Sequence, residues 1–600
     1  MAVADTTTMT TGNQSYQANG GFETSNGTLY VSKPYLSKSS KKLRALITFT
    51  PRKSVFDITN QQSSANEFRG FFSLFWISIF IFTVQTYVRS IETSGRPLNL
   101  HFASLLSQDA WTLALSDAVL VLSTGICVPF AWVLKKRYIQ YYWTGVVIQH
   151  ALQTTILFGA IYWAYHKNWP WVQSGFLTLH SLVMIMKMHS YITVNGQLQY
   201  VTERATGLRK RLRKATERVG GWDKAMATAK ARQMELDATD NSSQASTPPY
   251  SESNGSVVNG NYSGTPQAPE GSTSSYVSAK TASALRQRLI AVAAQDAQKG
   301  THAADATVLN VQQLAEKRSN GGVVTTFVGE TDLPEGVKPH PLVVHPDAEI
   351  SSMATDYSEL QSELVSSGPN YVRWEDTITW KNFAVYQLIP TLVYELEYPR
   401  TDKIRPLYVF EITVATFGTF ALLYTVTESW ILPYANANQS FFRALLDLAL
   451  PFMVAYLLLF FIIFECICNG FAELSYFADR QFYEDWWNST SQDEFSRKWN
   501  KPVHTFLLKH VYAATIMRGA TKSRALFITF LLSACAHELV MVVVTRKIRM
   551  YLFTLQLIQI PLILIGRIPA IKRNKLMGNI VFWLGLYAGF PLLCVAYVCY

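Results

Sequence analysis

The sequence predicts an all-α, polytopic integral membrane protein of about nine transmembrane helices, with a disordered cytosolic tail and a disordered cytosolic insertion. Three observations carry that prediction. Hydrophobic residues make up 49% of the 600-residue chain and are gathered into runs long enough to cross a bilayer. The Lys and Arg behind the formal charge of +11 stand beside those runs, which suits anionic lipid headgroups and a cytosolic orientation signal and is not a nucleic-acid footprint. The remaining stretches are rich in Ser, Thr, Asn, Gly and Pro and cannot bury enough apolar surface to fold.

Taken in order, residues 1–68 read as a disordered cytosolic tail carrying Lys41, Lys42, Arg44, Arg52 and Lys53. Their start shows no apolar core ahead of a small-residue cleavage site, so the first span is expected to act as the anchor. Residues 69–199 hold four expected spans, at 70–90, 111–134, 142–165 and 170–188. Lys135, Lys136 and Arg137 mark the loop after the second span as cytosolic. Residues 200–370 read as a largely disordered cytosolic insertion. It opens with the basic stretch 208–214, which suits either the membrane surface or a solvated helix face, and holds one candidate helix at 281–316.

Residues 371–600 carry the remaining expected spans, at 405–433, 441–468, 524–544, 549–566 and 577–599. An odd span count puts the C-terminus in the lumen. Arg567, Lys572, Arg573 and Lys575 then fall on the cytosolic side, whereas Arg546, Lys547 and Arg549 fall on the luminal side, against the positive-inside rule. Residues 471–523 are too aromatic for a linker and suit helices that lie in the interface or re-enter the membrane. All six cysteines (Cys127, Cys466, Cys468, Cys535, Cys594, Cys599) stand in apolar segments and read as small buried hydrophobes. Cys466 and Cys468 point in different directions on a helix and make a poor metal pair.

Two features carry chemistry. His537 and Glu538 lie inside the apolar run 525–544, and ionisable groups at membrane depth usually face a cavity or pathway. His537 could equally be a satisfied core histidine. The second feature is Phe482-Tyr-Glu-Asp-Trp-Trp-Asn488, either an interfacial aromatic belt or the wall of a polar pocket. Glu538 is about 100° around the helix from His537 and reads as a structural partner. His150 and His180 read as cross-helix hydrogen-bonding groups. No GxSxG, Walker-type loop or HExxH occurs, so a serine hydrolase, a P-loop ATPase and a zinc protease find no support.

The stretch 482–488 resembles the FYxDWWN signature of the sterol and diacylglycerol O-acyltransferase branch of the membrane-bound O-acyltransferase (MBOAT) superfamily. His537 stands at the distance downstream expected of that superfamily's catalytic histidine. Lys187-Met-His-Ser-Tyr191 and Pro390-Thr-Leu-Val-Tyr-Glu-Leu-Glu-Tyr-Pro-Arg-Thr401 resemble two further segments of the branch. The resemblance covers roughly 70–195 and 370–600; fungal sterol acyltransferases tend to carry polar additions like the tail and the insertion. It implies an MBOAT fold in the endoplasmic reticulum membrane, assembled as a homodimer or homotetramer. It also implies transfer of a long-chain acyl group from acyl-CoA to the 3β-hydroxyl of a sterol, giving a steryl ester for lipid droplets, with no metal or redox cofactor.

The residues suit such chemistry. A neutral imidazole is the side chain best poised to take a hydroxyl proton near neutral pH, which casts His537 as general base. A chamber among helices would keep out water that would otherwise hydrolyse the thioester. Asn488 can donate to the thioester carbonyl, Trp487 can line the acyl channel, and Tyr483 and Asp485 read as supports. Lys501, His504, Lys509, Tyr512 and Arg518 could meet the CoA phosphates, or the cations among them could simply flank the membrane. Diacylglycerol or another lipid alcohol is the alternative acceptor. A proton-coupled transporter or channel, with His537 and Glu538 on its path, is the alternative of a different class.

Overall fold

The computed structural model describes residues 21–24, 27–31, 35–36, 43–51, 69–96, 103–104, 107–245, 273–278, 340–366, 372–401, 403–435, 440–566 and 575–598. The membrane body is helical. Its elements are α1 (Arg69–Ser94), α2 (Ala110–Lys135), α3 (Tyr141–His166) and α4 (Trp171–Glu217). After α5 (Trp222–Ala245) and α6 (Ala348–Glu363) come α7 (Trp380–Leu388), α8 (Pro406–Ala435) and α9 (Phe441–Leu474). Next is α10 (Gln492–Lys498), followed by α11, which runs from Lys501–Phe506 through a π-turn at Leu507–Tyr512 into Ala513–Met517. The last three are α12 (Lys522–Thr545), α13 (Tyr551–Gly566) and α14 (Lys575–Val598).

Among the described residues, α2, α3, α8, α9, α12 and α14 are the six helices long and apolar enough to cross a membrane. The other expected spans fall on α1, the first half of α4, and α13, whose apolar stretch Tyr551–Leu564 is shorter. At 47 residues α4 is about 70 Å long, twice what a bilayer needs, so it carries the chain well past the membrane boundary.

The overrun of α4 changes the reading of the insertion, whose two ends are folded. Gly220 and Gly221, at φ 101° and 96°, turn the chain from α4 into α5. Leu212 and Ala215 of α4 pack with Ala225 and Ala229 of α5 and with Leu342, Ile350 and Ala354. Asp347 caps α6, accepting from the amides of Glu349 and Ile350 at 2.9 and 3.2 Å. Strands also occur where composition predicted disorder. Gly21–Thr24, Gly27–Val31, Tyr35–Leu36 and Leu43–Pro51 of the tail join Thr273–Ser278 of the insertion in an antiparallel sheet. The central strand, Leu43–Pro51, finds partners on both edges. The candidate helix at 281–316 and the charges Arg567, Lys572 and Arg573 lie outside the described residues.

One anchor organises the centre of the bundle. Lys187 of α4 is buried, and its Nζ donates to the carbonyl oxygens of Tyr386, Gln387 and Ile389 at 2.8, 3.1 and 2.8 Å. Three acceptors match the three N–H groups of an ammonium at the point where α7 runs out of internal partners. The Tyr386 hydroxyl donates back toward the Lys187 carbonyl at 3.2 Å. One turn further on, Ser190 Oγ accepts from the Tyr394 amide at 2.8 Å, and Tyr191 packs edge-on to Phe383 and Tyr394. Residues 389–401 therefore run without helix along α4, and their backbone is satisfied there and by the 476–478 segment, through Thr401 N to Tyr476 O and Ala478 N to Pro399 O. The two stretches singled out at 187–191 and 390–401 form one interlocked unit.

Replacing Lys187 with Ala strips a buried donor from three carbonyls, an expected loss of about 3 kcal/mol. Thermal unfolding of the detergent-purified protein checks this: a clear fall in Tm is expected, and an unchanged Tm would contradict the anchor.

Candidate active site

The first candidate element is the 482–488 segment between α9 and α10. It cannot be helical, because its backbone pairs with the chain that follows: Glu484 N donates to Lys498 O at 2.9 Å and Lys501 N to Phe482 O at 3.0 Å. It closes in a 3-10 turn at Trp486–Asn488. Trp486 is 1% exposed, caged by the rings of Phe460, Phe495, Trp499 and Trp583 at centroid distances of 4.8–5.9 Å. Phe482 and Tyr483 are buried too, and the Tyr483 hydroxyl donates to Glu465 of α9 at 2.9 Å. The segment is thus a packed structural element and not an aromatic belt facing lipid.

Its last two residues are held from outside. The Trp487 carbonyl accepts from Asn579 Nδ2 at 3.0 Å and from Trp583 Nε1 at 3.1 Å, both on α14. Asn488 is exposed, and its amide makes only a long 3.4 Å contact with Asp485, whose other oxygen pairs with Lys498 at 2.9 Å. A carboxamide held that loosely can turn toward a ligand oxygen.

The second candidate element is α12. Glu538 is buried, and its carboxylate accepts from the amides of Met550 and Phe553 at 2.7 and 3.1 Å, capping the start of α13. The turn it braces carries Arg546 and Met550 at φ 56° and 60°. Glu538 is a structural residue, as its position around the helix from His537 indicates. His537 Nδ1 lies 2.7 Å from the Ser533 backbone oxygen one turn back. A carbonyl can only accept, so Nδ1 carries the proton and Nε2 carries the lone pair. The ring is exposed, and Nε2 makes no hydrogen bond with any described residue.

Next to both stands α11, which begins at the Lys501 N to Phe482 O bond and whose π-turn packs on α12. His510 Nε2 meets Ser190 Oγ at 2.7 Å, and Tyr512 is half-buried in the same π-turn. Lys501 is engaged by Gln481 and Glu484. Lys509 and Arg518 are exposed. The structure thus gathers Tyr483, Asp485, Trp487, Asn488 and Lys501 at the 482–488 segment, and His504, Lys509, Tyr512 and Arg518 along α11. No hydrogen bond or ring contact joins Asn488 directly to His537 among the described residues. Sequence reasoning missed Glu465, Asn579 and Trp583, which are separated from 482–488 by up to about a hundred residues and form no local pattern with it. Lys187 was noticed, but only as a member of a motif.

The family model for MBOAT, the membrane-bound O-acyltransferase family, matches residues 369–599. The probable sterol O-acyltransferase 1 of Schizosaccharomyces pombe is 30% identical, over 92% of this chain and 86% of its own length. The sterol O-acyltransferase 2 of Candida albicans is 29% identical, over 92% of this chain and 78% of its own length. The chain belongs to the membrane-bound O-acyltransferase family and is a multi-pass membrane acyltransferase. Within that family, the similarity that runs along nearly the whole chain is to fungal sterol O-acyltransferases. A diacylglycerol O-acyltransferase 1C of Glycine max is 33% identical, but over 34% of this chain and 42% of its own length.

His504 gives this region a pH signature. Burial pushes its imidazole down to about 4, and the charges of Arg497 and Lys501 push the same way. Below the ordinary value of about 6.5 the unfolded chain takes up a proton that the folded chain refuses, so stability falls as pH drops from about 6.5 toward 4. The Tm is expected to fall across that window, and to fall less in His504→Gln. Equal pH slopes for the two proteins would contradict the assignment.

Proposed function

We propose that this enzyme esterifies the 3β-hydroxyl of a sterol with a long-chain acyl group from acyl-CoA in the endoplasmic reticulum membrane, with His537 as general base. The observation that carries the base assignment is the Ser533 carbonyl on His537 Nδ1, which leaves Nε2 basic and uncommitted. The sterol oxygen attacks the thioester carbonyl carbon while its proton passes to Nε2. The carbon–sulfur bond then breaks, and the proton goes on to the departing CoA thiolate. Asn488 donates to the carbonyl oxygen as negative charge develops there, and Trp487 lines the approach. The two substrates and one imidazole account for every proton and electron pair, so the scheme calls for no metal or redox cofactor.

The acceptor assignment rests on similarity that runs the length of the chain to proteins named as sterol O-acyltransferases, against a match over a third of the chain to a diacylglycerol enzyme. The stretch 187–191 adds less than its resemblance implied, because Lys187, Ser190 and Tyr191 are occupied in holding 386–394. Cytosolic entry of acyl-CoA along α11, past Lys509 and Arg518, and assembly as a homodimer or homotetramer belong to the same reading.

Microsomes given labelled oleoyl-CoA and a choice of ergosterol, cholesterol or diacylglycerol test the acceptor. Steryl ester is expected; ester on diacylglycerol alone would contradict the proposal. His537→Ala should lower kcat by about 10³-fold with acyl-CoA binding intact, and Asn488→Ala by about 10²-fold. Turnover retained without the imidazole would remove the base assignment.

A further inference from the structure

A second histidine packs against α11, and the mechanism above does not use it. The ring of His189, on α4, lies among the rings of His150, Phe506 and His510 at centroid distances of 6.0, 5.9 and 5.6 Å. Its Nδ1 is 3.0 Å from the Gln149 amide nitrogen. The Gln149 carbonyl oxygen is already taken by the Tyr141 hydroxyl at 2.8 Å, and its NH₂ also reaches Thr193 at 3.4 Å. That fixes the amide with its NH₂ toward His189, so Nδ1 accepts and the ring proton sits on Nε2. His537 and His189 therefore have opposite tautomers: one offers a lone pair at Nε2, the other an N–H. Nε2 of His189 makes no hydrogen bond with any described residue, although the ring is only half-buried. A donor left open within a helical bundle calls for an acceptor.

Helix register gives the position of that donor. A Cβ on Gly175 of α4 would lie 3.2 Å from Val544 at the end of α12, and further along α4 Ser190 meets His510 of α11, the helix that leads into the start of α12. The two helices run antiparallel, so His537, seven residues before Val544, is level with Leu182 of α4. His189 is seven residues further along, about 10 Å toward the end of the bundle that carries Lys135, Lys136 and Arg137. A thioester held at His537 by a CoA that enters from that basic end trails its pantetheine arm through this level. The arm carries two amide carbonyls, each an acceptor.

We infer that His189 is a substrate-binding residue whose Nε2–H donates to a pantetheine amide carbonyl of acyl-CoA, with Gln149 and Tyr141 holding its tautomer. A proton relay through His150, His189 and His510 is not needed, since the hydroxyl proton ends on the CoA thiol. This inference rests on the proposed use of acyl-CoA but not on the acceptor, and its test keeps the two apart.

Equilibrium binding of labelled oleoyl-CoA to the full-length protein is measured without any acceptor, for wild type, His189→Phe and His189→Gln. His189→Phe keeps a ring among rings and removes the donor; Kd is expected to rise about tenfold. His189→Gln restores an N–H and should bind within about threefold of wild type. Should His189→Phe not accumulate, His189→Met fills the site with a flexible apolar chain and carries the same expectation. In turnover, KM for oleoyl-CoA should rise, with KM for sterol and kcat unchanged. An unchanged Kd in the donor-less variants, or an equal loss in His189→Gln, overturns the inference. A wild type that binds oleoyl-CoA and esterifies no sterol overturns the acceptor reading and leaves this one standing.

Discussion

The contact on which most else depends is a lysine amine set against three carbonyls inside a helical bundle. Irregular backbone at membrane depth is tolerated only where its polar groups find partners. Lys187 supplies them at the end of α7, and Ser190 and Tyr191 continue the same edge. This lets 389–401 run unwound alongside α4, and the far end of that segment joins 476–478, just ahead of 482–488. Ser190 also meets His510, so the same few residues set the position of α11.

A second buried charge system keeps the far end of the segment in place. Glu473, whose side chain is 1% exposed, takes the Arg405 amide and guanidinium and pairs with the buried Arg480. It fastens the end of α9 to the start of α8 and to the residues leading into Phe482. Glu465, about two turns earlier on α9, holds Tyr483, and α14 holds Trp487. The 482–488 segment is thus supported from three helices, while Asn488 and His537 keep accessible polar ends. Rigid support behind exposed functional groups is the arrangement that positional catalysis requires.

Much of this was legible in the sequence, and the reasons it stopped are physical. Apolar run length located the six helices among the described residues that are long and apolar enough to cross a membrane, because the bilayer's thickness sets a length that no soluble helix has to meet. It failed to foresee how far α4 continues, since a helix leaving the membrane keeps its 3.6-residue repeat while its composition turns polar, and the basic stretch 208–214 suited a membrane surface as well as a helix face. The angle between neighbours on a helix correctly separated Glu538 from His537. The tautomer of His537 depends on a carbonyl four residues back and could be anticipated only once the helix was certain. Partners such as Glu465, Asn579 and Trp583 are joined to 482–488 by tertiary packing and leave no mark in a single sequence.

The central claim is that the lone pair on His537 Nε2 faces the reacting hydroxyl. The most direct measurement is a structure of the full-length protein with a non-hydrolysable oleoyl-CoA analogue and a sterol bound. The account expects the sterol oxygen about 3 Å from Nε2, Nδ1 still on the Ser533 carbonyl, and the acyl carbonyl within reach of Asn488. A sterol oxygen resting elsewhere, with His537 facing lipid, would contradict it.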